Sequence, residues 1–138
     1  MKLKIMLDPG AVMPERAHTN DAGLDLFALD AVYIAPHSWE TVDTGVHVAI
    51  PKGFVGMLTS KSGLMRHYGI TCRGTIDAGY TGTIQAIMFN HSDKAYKVEK
   101  GSKVTQLVIF PMVIPELLEV DEMEETERGA NGFGSSGV

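Results

Sequence analysis

The sequence has a single cysteine, Cys72, so no disulfide can form within one chain. A lone cysteine fits a reducing compartment, and we expect a cytoplasmic protein. Long apolar runs are also missing: none approaches the ~20 residues that a membrane-spanning helix needs. The apolar N-terminal run ends at Asp8 and Pro9, far short of the apolar stretch of a signal peptide. We therefore expect no membrane partner.

An excess of positive charge is missing as well. The formal net charge is -5, which excludes a bulk electrostatic attraction to nucleic acid, and we expect no nucleic-acid partner. The 138 residues, of which 44% are hydrophobic, fit one globular domain. A chain of this length can bury enough apolar surface to fold without disulfides or structural metals.

Helical periodicity is nearly absent, and short apolar segments alternate with glycine and proline instead. Strands are predicted at 2–7, 31–35, 40–50 with a turn at 43–45, 54–59, 96–99, 104–110 and 117–120. One short helix is predicted at 60–66, capped by Ser60 or Ser62. This pattern predicts an all-β sandwich or barrel over residues 1–120, followed by a flexible, acidic and then glycine-rich tail over residues 121–138.

Residues 74–90, GTIDAGYTGTIQAIMFN, predict a β-hairpin with its turn at 78–82. The first arm ends on Asp77 and the turn carries Tyr80. The second arm, 83–89, is apolar on both faces, which favours burial within an assembly. A carboxylate and a ring on a tight glycine-rich turn suit contact with a small polar molecule that has a flat face. The alternative is an ordinary structural turn, because Asp and Gly are common turn residues.

The last eleven residues, RGANGFGSSGV, are too small and polar to pack a core. Arg128 can hold phosphate oxygens, and the N–H groups around Gly134 and Ser135 can form a nest for an anion. The ring of Phe133, between two glycines, can stack on a base. Together these abilities indicate a lid over a nucleotide, with a disordered tail as the alternative.

Other segments carry matching chemistry. Lys61, Ser62 and Gly63 supply a cation, a hydroxyl and backbone amides at the start of the predicted helix, which suits phosphate. Gln106 is an amide on an otherwise apolar strand; its alternative is a solvent-facing position. Asp25 is a candidate to hold a metal-bound water, and its alternative is a turn or cap residue.

These five segments, in their order along the chain, resemble the five motifs of the trimeric deoxyuridine triphosphatases (dUTPases). The segments are AGLDLFA (22–28), SKSGL (60–64), GTIDAGYTG (74–82), KGSKVTQLVI (100–109) and RGANGFGSSG (128–137). The resemblance implies a jelly-roll-like β-barrel and hydrolysis of dUTP to dUMP and pyrophosphate with Mg²⁺, a reaction that keeps uracil out of DNA. It also implies a homotrimer whose sites each take the hairpin from one chain, three motifs from a second and the tail from a third.

The resemblance implies a role for each matching residue. Asp77 would activate the attacking water, Tyr80 would pack on the deoxyribose, and Asp25 would hold hydrated Mg²⁺ through a water. Uracil would be read by the backbone of Gly74, Thr75 and Ile76 and covered by Phe133. The phosphates would be held by Lys61, Ser62, Gly63, Gln106, Arg128, Gly134 and Ser135.

The chain departs from the family pattern at three positions. Lys61 and Lys103 stand where arginine is common, and His67 stands where lysine is common. A dCTP deaminase of the same fold is one alternative, but that family needs a glutamate where this chain has Ile87. A nucleotide-gated regulatory protein of the phage dUTPase type is the other, and it stays open because the catalytic groups do not exclude an additional role.

Overall fold

A computed structural model describes residues 1–134 and 136–137 of the chain. That part contains short strands and one helix of seven residues. The elements are β1 (Lys4–Leu7), β2 (Leu24–Phe27), β3 (Val32–Ile34), β4 (Trp39–Asp43), β5 (Val46–Ala49), β6 (Phe54–Thr59), α1 (Ser62–Tyr68), β7 (Ile70–Cys72), β8 (Gly74–Ile76), β9 (Gln85–Asn90), β10 (Tyr96–Val98) and β11 (Lys103–Pro111). Over these residues, no helix combines the length and the apolar character needed to cross a membrane.

The strands form antiparallel sheets. The largest has the order β2-β11-β6-β8, and a three-stranded sheet has the order β4-β9-β7. β1 pairs with β5, and β3 pairs with β10. The all-β class predicted from the sequence is confirmed.

The core lies between the sheets and is built from alternating positions along the strands. In β9, Ala86 and Met88 are fully buried, whereas Ile87 and Phe89 point outward and are each 42% exposed. The largest fully buried side chains come from most of the strands and include Leu26, Ile34, Val42, Ile70, Met88, Val98 and Leu107. Burying side chains of this size contributes roughly 1.5–3 kcal/mol each relative to leaving them in water.

Most predicted strands are confirmed, and one is wrong. β6 has the predicted bounds, and the predicted turn at 43–45 separates β4 from β5. β2 and β7 were not predicted. The predicted strand at 117–120 is absent from the described residues, because no neighbouring strand of the same chain lies beside it to accept its backbone hydrogen bonds. Leu117 and Leu118 are instead 91% and 84% exposed.

The predicted hairpin over residues 74–90 is also wrong. β8 pairs with β6, whereas β9 pairs with β4 and β7, so the two predicted arms belong to different sheets. Residues 77–84 cross from one sheet to the other. The reason is that the alternating pattern of a strand specifies which face is buried but not which strand will be its neighbour.

Candidate active site

Asp25 lies on β2 with its side chain almost completely buried between two lysines. Its Oδ1 atom accepts a hydrogen bond from Nζ of Lys61, and its Oδ2 atom lies 2.8 Å from Nζ of Lys103. The same Lys103 ammonium is 3.3 Å from Oε1 of Glu15. Sequence reasoning gave no role to Glu15, because its partner lies far away in the chain and only the fold brings them together.

The two lysines decide the ionisation of Asp25. Burial alone would raise the pKa of this carboxyl, but the hydrogen bonds and positive charges of Lys103 and Lys61 outweigh it and lower the pKa of Asp25 below its usual value. Hydrogen bonds with Asp25 and Glu15 raise the pKa of Lys103. At neutral pH the site therefore holds a buried carboxylate flanked by two ammonium groups.

Gln106 stands beside Asp25 on the neighbouring strand β11. The two residues are partners in the antiparallel register, and on its other side Gln106 is the partner of Thr59 on β6. The Gln106 amide fits here because Gly23 has no side chain: a Cβ atom at Gly23 would lie 2.4 Å from Oε1 of Gln106. We call Asp25, Lys61, Lys103 and Gln106 the lysine cluster.

The start of α1 adjoins the lysine cluster. The residue before the first helical turn is Lys61, and no side chain of the described residues caps the helix, so the predicted capping by Ser60 or Ser62 is wrong. Ser60 is engaged elsewhere: its Oγ atom accepts a hydrogen bond from the N–H of Cys72 at 2.9 Å. Ser62 and Gly63 are exposed in the first turn, where backbone N–H groups have no partner within the helix.

Asp77 follows β8 and is exposed at the edge of a pocket of about 230 Å³, which we call the Asp77 pocket. Tyr80 donates a hydrogen bond from its hydroxyl to the carbonyl of Thr83 at 2.9 Å. The Tyr80 ring lies over Gly82, where an added Cβ would meet its hydroxyl oxygen at 2.4 Å. The pocket lining comprises Thr75, Ile76, Asp77, Tyr80, Thr83 and Gln85.

The Asp77 pocket and the lysine cluster do not meet within one chain. On β6, Gly56 is the partner of Ile76, and Thr59 is the partner of Gln106. Gly56 and Thr59 are three residues apart on β6, which corresponds to about 10 Å along the strand. Their partner strands β8 and β11 lie on opposite sides of β6. Gly74, at the other end of β8, is the partner of Leu58.

The glycine-rich tail lies apart from both groups as far as it is described. The Nε atom of Arg128 donates to the carbonyl of Asn131 at 3.0 Å, within the tail itself. The Phe133 side chain is fully exposed, and neither residue is among the described residues that line the Asp77 pocket. Gly134 has a φ of 84°. The expected phosphate contact Ser135 lies outside the described residues.

The residues present do not form a metal site made by protein ligands alone. Among residues 1–134 and 136–137, no group of three or more His, Cys, Asp or Glu side chains is placed to hold an ion. Both oxygens of Asp25 already accept from lysines, but each carboxylate oxygen can accept a second hydrogen bond. This donor set fits a hydrated Mg²⁺ that is carried by phosphates and contacted through water.

The family model described as dUTPase matches residues 10–137 of the chain. The chain is 39% identical over 142 residues to the deoxyuridine 5'-triphosphate nucleotidohydrolase of Gloeothece citriformis, covering 100% of this chain and 98% of that protein. It is 41% identical over 131 residues to the enzyme of the same description from Clostridium novyi, covering 93% and 92% of the two chains.

Solved structures show the same similarity. The dUTPase of Staphylococcus bacteriophage 80alpha with dUPNHPP matches with a TM-score of 0.93 and 37% identity, covering 99% of both chains. A variant dUTPase from phage phi11 of S. aureus, described as revealing the coordination of a structural Mg(II) ion, matches with a TM-score of 0.84 and 33% identity, covering 91% of this chain and 100% of that chain.

Proposed function

Because this chain belongs to the dUTPase family and is a deoxyuridine 5'-triphosphate nucleotidohydrolase, we propose that it cleaves dUTP at the α-phosphorus with a water oriented by Asp77. The observation that carries this proposal is the Asp77 pocket, where an exposed carboxylate and an ordered ring share one small cavity. A carboxylate is a weak base, so its main contribution is to hold one water in line with the scissile bond and take its proton as the bond forms. The products are dUMP and pyrophosphate.

The backbone of β8 is suited to reading uracil. β8 is an edge strand of its sheet, so the N–H and C=O groups of Gly74, Thr75 and Ile76 that point away from β6 have no partner strand in the described part of the chain. Such groups present a fixed order of donors and acceptors to a base. Cytosine reverses this order at its 3 and 4 positions and would leave buried polar groups without partners, which favours uracil.

Tyr80 is suited to selecting the deoxy sugar. Its hydroxyl bond to Thr83 and its contact with Gly82 fix the ring against the turn. A ring held in this way offers a flat face to the sugar and leaves no room for a 2′-hydroxyl. The tyrosine thus distinguishes dUTP from UTP by shape.

The lysine cluster is suited to the triphosphate. Lys61 and Lys103 supply positive charge, while Gln106, Ser62 and Gly63 supply neutral donors beside it. Ammonium groups act as point charges, so these lysines neutralise phosphate without the paired contacts of an arginine. Asp25 would hold Mg²⁺ through a water, and that ion, when bound with the triphosphate, withdraws charge from the phosphate oxygens.

We extend the proposal to a homotrimer in which each site combines different chains. The separation of the Asp77 pocket from the lysine cluster supports this, because one chain alone does not bring the two together. Exposed apolar surface supports it independently: Ile87 and Phe89 on β9, and Val113, Ile114, Leu117 and Leu118 beyond β11. Burying such surface is the main driving force for association. In this arrangement Arg128, Phe133, Gly134 and Ser135 of a third chain would close over the nucleotide.

The remaining alternative enzyme is a dCTP deaminase, and the position of Ile87 argues against it. A deaminase of this fold needs a glutamate at that position, and the isoleucine side chain has no group that could transfer a proton at the cytosine ring. We place the reaction in the cytoplasm, because Cys72 is a free, buried thiol.

The experiment that tests the function is incubation with each deoxynucleoside triphosphate and Mg²⁺, with pyrophosphate and ammonia assayed separately. We expect pyrophosphate from dUTP and no ammonia from dCTP. Ammonia from dCTP, or no pyrophosphate from dUTP, would overturn the proposal.

A further inference from the structure

His47 on β5 lies between two hydrogen-bond acceptors. Its Nδ1 atom is 2.7 Å from the carbonyl oxygen of Thr81, and its Nε2 atom is 3.1 Å from Oδ1 of Asp8. A neutral imidazole carries one N–H and can donate to only one of these oxygens. The protonated ring carries two and satisfies both. The geometry is therefore that of a histidinium ion.

We infer that protonated His47 is a positioning residue for dUTP hydrolysis, which ties the Thr81 carbonyl, and with it the turn of the Asp77 pocket, to β5. His47 is not among the described residues that line the Asp77 pocket, and it acts through Thr81. The inference rests on the proposed function of the Asp77 pocket.

Thr81 is a sensitive point in this turn because it separates Tyr80 from the glycine that the Tyr80 ring covers. A shift of the Thr81 peptide moves Tyr80 and Gly82 against each other. The end of the turn is fixed next to the histidine, where the N–H of Ile84 donates to the carbonyl of Val46 at 2.8 Å. Val46 and His47 thus hold successive parts of the turn from one strand.

The charges around His47 favour the protonated ring. Asp8 lies after β1, and Asp43 ends β4; Lys4 on β1 lines the same groove as His47. The hydrogen bond to Thr81, followed by the one to Asp8, raises the pKa of His47 above its usual value. The doubly bonded state therefore predominates at a pH equal to the usual histidine pKa of about 6.5. It is lost as the pH rises through the higher pKa of the folded protein.

An NMR titration of the wild-type protein tests the inference without relying on activity. We expect the His47 ring to titrate above pH 6.5 and the amide signals of Thr81 and Gly82 to move with the same midpoint. Asp8→Asn removes one charge partner and should lower both midpoints together. A His47 midpoint at the ordinary value, or Thr81 and Gly82 signals that do not follow it, would overturn the inference.

Kinetics provide the second test. In the wild type, kcat/KM for dUTP should show a decrease as the pH rises through the His47 midpoint. In His47→Gln that step should vanish, with kcat/KM at low pH reduced roughly fivefold, as for loss of one hydrogen bond. The matched control is His37→Gln, which removes another histidine–aspartate pair, 2.7 Å long and exposed.

Failure of the positioning role can be distinguished from failure of the proposed function. Retention of the wild-type pH step in His47→Gln would refute the positioning role even if dUTP is hydrolysed. A wild-type protein that does not hydrolyse dUTP would refute the function, while the NMR titration would still show whether His47 holds the turn.

Discussion

The ammonium nitrogen of Lys103 lies 2.8 Å from a carboxylate oxygen of Asp25, and this contact joins β11 to β2 across most of the chain. The carboxylate is buried, and Lys61 occupies its other oxygen. A carboxylate in this position offsets two neighbouring positive charges that would otherwise repel each other. Asp25 therefore has a structural role in addition to its proposed role toward Mg²⁺.

Asp25→Asn should lower the free energy of unfolding at pH 7 by about 1–3 kcal/mol, because one acceptor oxygen is replaced by an NH₂ group and the negative charge between the two lysines is lost. The pKa of Asp25 is lowered in the folded protein, so its stabilising effect is full above the usual aspartate value and is lost as the pH falls through the lowered pKa. Urea unfolding at pH 7 and at acid pH should show the deficit of the variant shrinking. Asp30→Asn, an exposed carboxylate 3.7 Å from Lys100, is the control. An equal deficit at both pH values would contradict the expectation.

Asp77→Asn should keep the affinity for a non-hydrolysable dUTP analogue and lower kcat by about 10²–10⁴-fold, because it removes a general base and leaves the pocket shape unchanged. The measurements are a binding titration and steady-state hydrolysis. Asp93→Asn alters an exposed carboxylate elsewhere and should leave kcat unchanged. Near-normal turnover of Asp77→Asn would show that Asp77 is not the general base.

Gly82→Ala should weaken the preference for dUTP over UTP. The added Cβ would lie 2.4 Å from the Tyr80 hydroxyl, so the ring must move, while the backbone of the turn keeps its place. The ratio of kcat/KM for the two nucleotides should fall, and the thermal unfolding midpoint should change little. Tyr80→Ala should lower the same ratio at least as far. An unchanged ratio in both variants would show that Tyr80 does not select the sugar.

Phe89→Lys should weaken trimer formation. The Phe89 side chain is 42% exposed in the single chain, so a charge there is tolerated by one chain but not inside an interface. Sedimentation at micromolar concentration should give a trimer for the wild type and smaller species for the variant. Tyr33→Lys, at a position 67% exposed on β3, is the matched control. A monomeric wild type would contradict both the trimer and the shared site.

Truncation after Glu127 should abolish most dUTP hydrolysis and leave the thermal midpoint and oligomeric state nearly unchanged. The described part of the tail packs no core, since Phe133 is fully exposed, yet the tail carries Arg128, the proposed phosphate contact, and the Phe133 ring, which is proposed to cover uracil. In a Trp39→Phe background, Phe133→Trp should report closure through its fluorescence when the analogue is added. Hydrolysis by the truncated protein at the full-length rate would show that the tail has no role in the reaction.

Local features of the fold were predictable, and the pairing of its strands was not. The bounds of β6 follow from its own apolar run between a turn and a polar segment. The separation of β8 from β9 depends on which sheet each strand joins, and that choice is made by contacts far away in the sequence. The exposed segment at 117–120 has strand-like composition but no neighbour, so composition alone was misleading.

For the candidate site as well, individual residues could be predicted from the sequence, whereas the contacts between them could not. Asp77, Tyr80 and Asp25 are predicted as site residues from residue type and motif order. The pairing of Asp25 with Lys103 and Glu15, and the placement of His47 against Thr81, arise where distant segments meet. Sequence spacing carries no signal for such contacts, because each joins residues that are far apart in the chain and that only the fold brings together.

The place of β11 between β2 and β6 determines how the protein reaches this structure. β11 is the last strand along the described chain, yet it lies inside the largest sheet. The sheet cannot close until residues near 25 and near 106 find each other, so a very long loop must be ordered before any pairing across it is gained. Chains with such distant pairings fold slowly, on the order of milliseconds to seconds. During that interval the edges of β2 and β6 that later pair with β11 are exposed, and protection from aggregation depends on how fast β11 pairs with them.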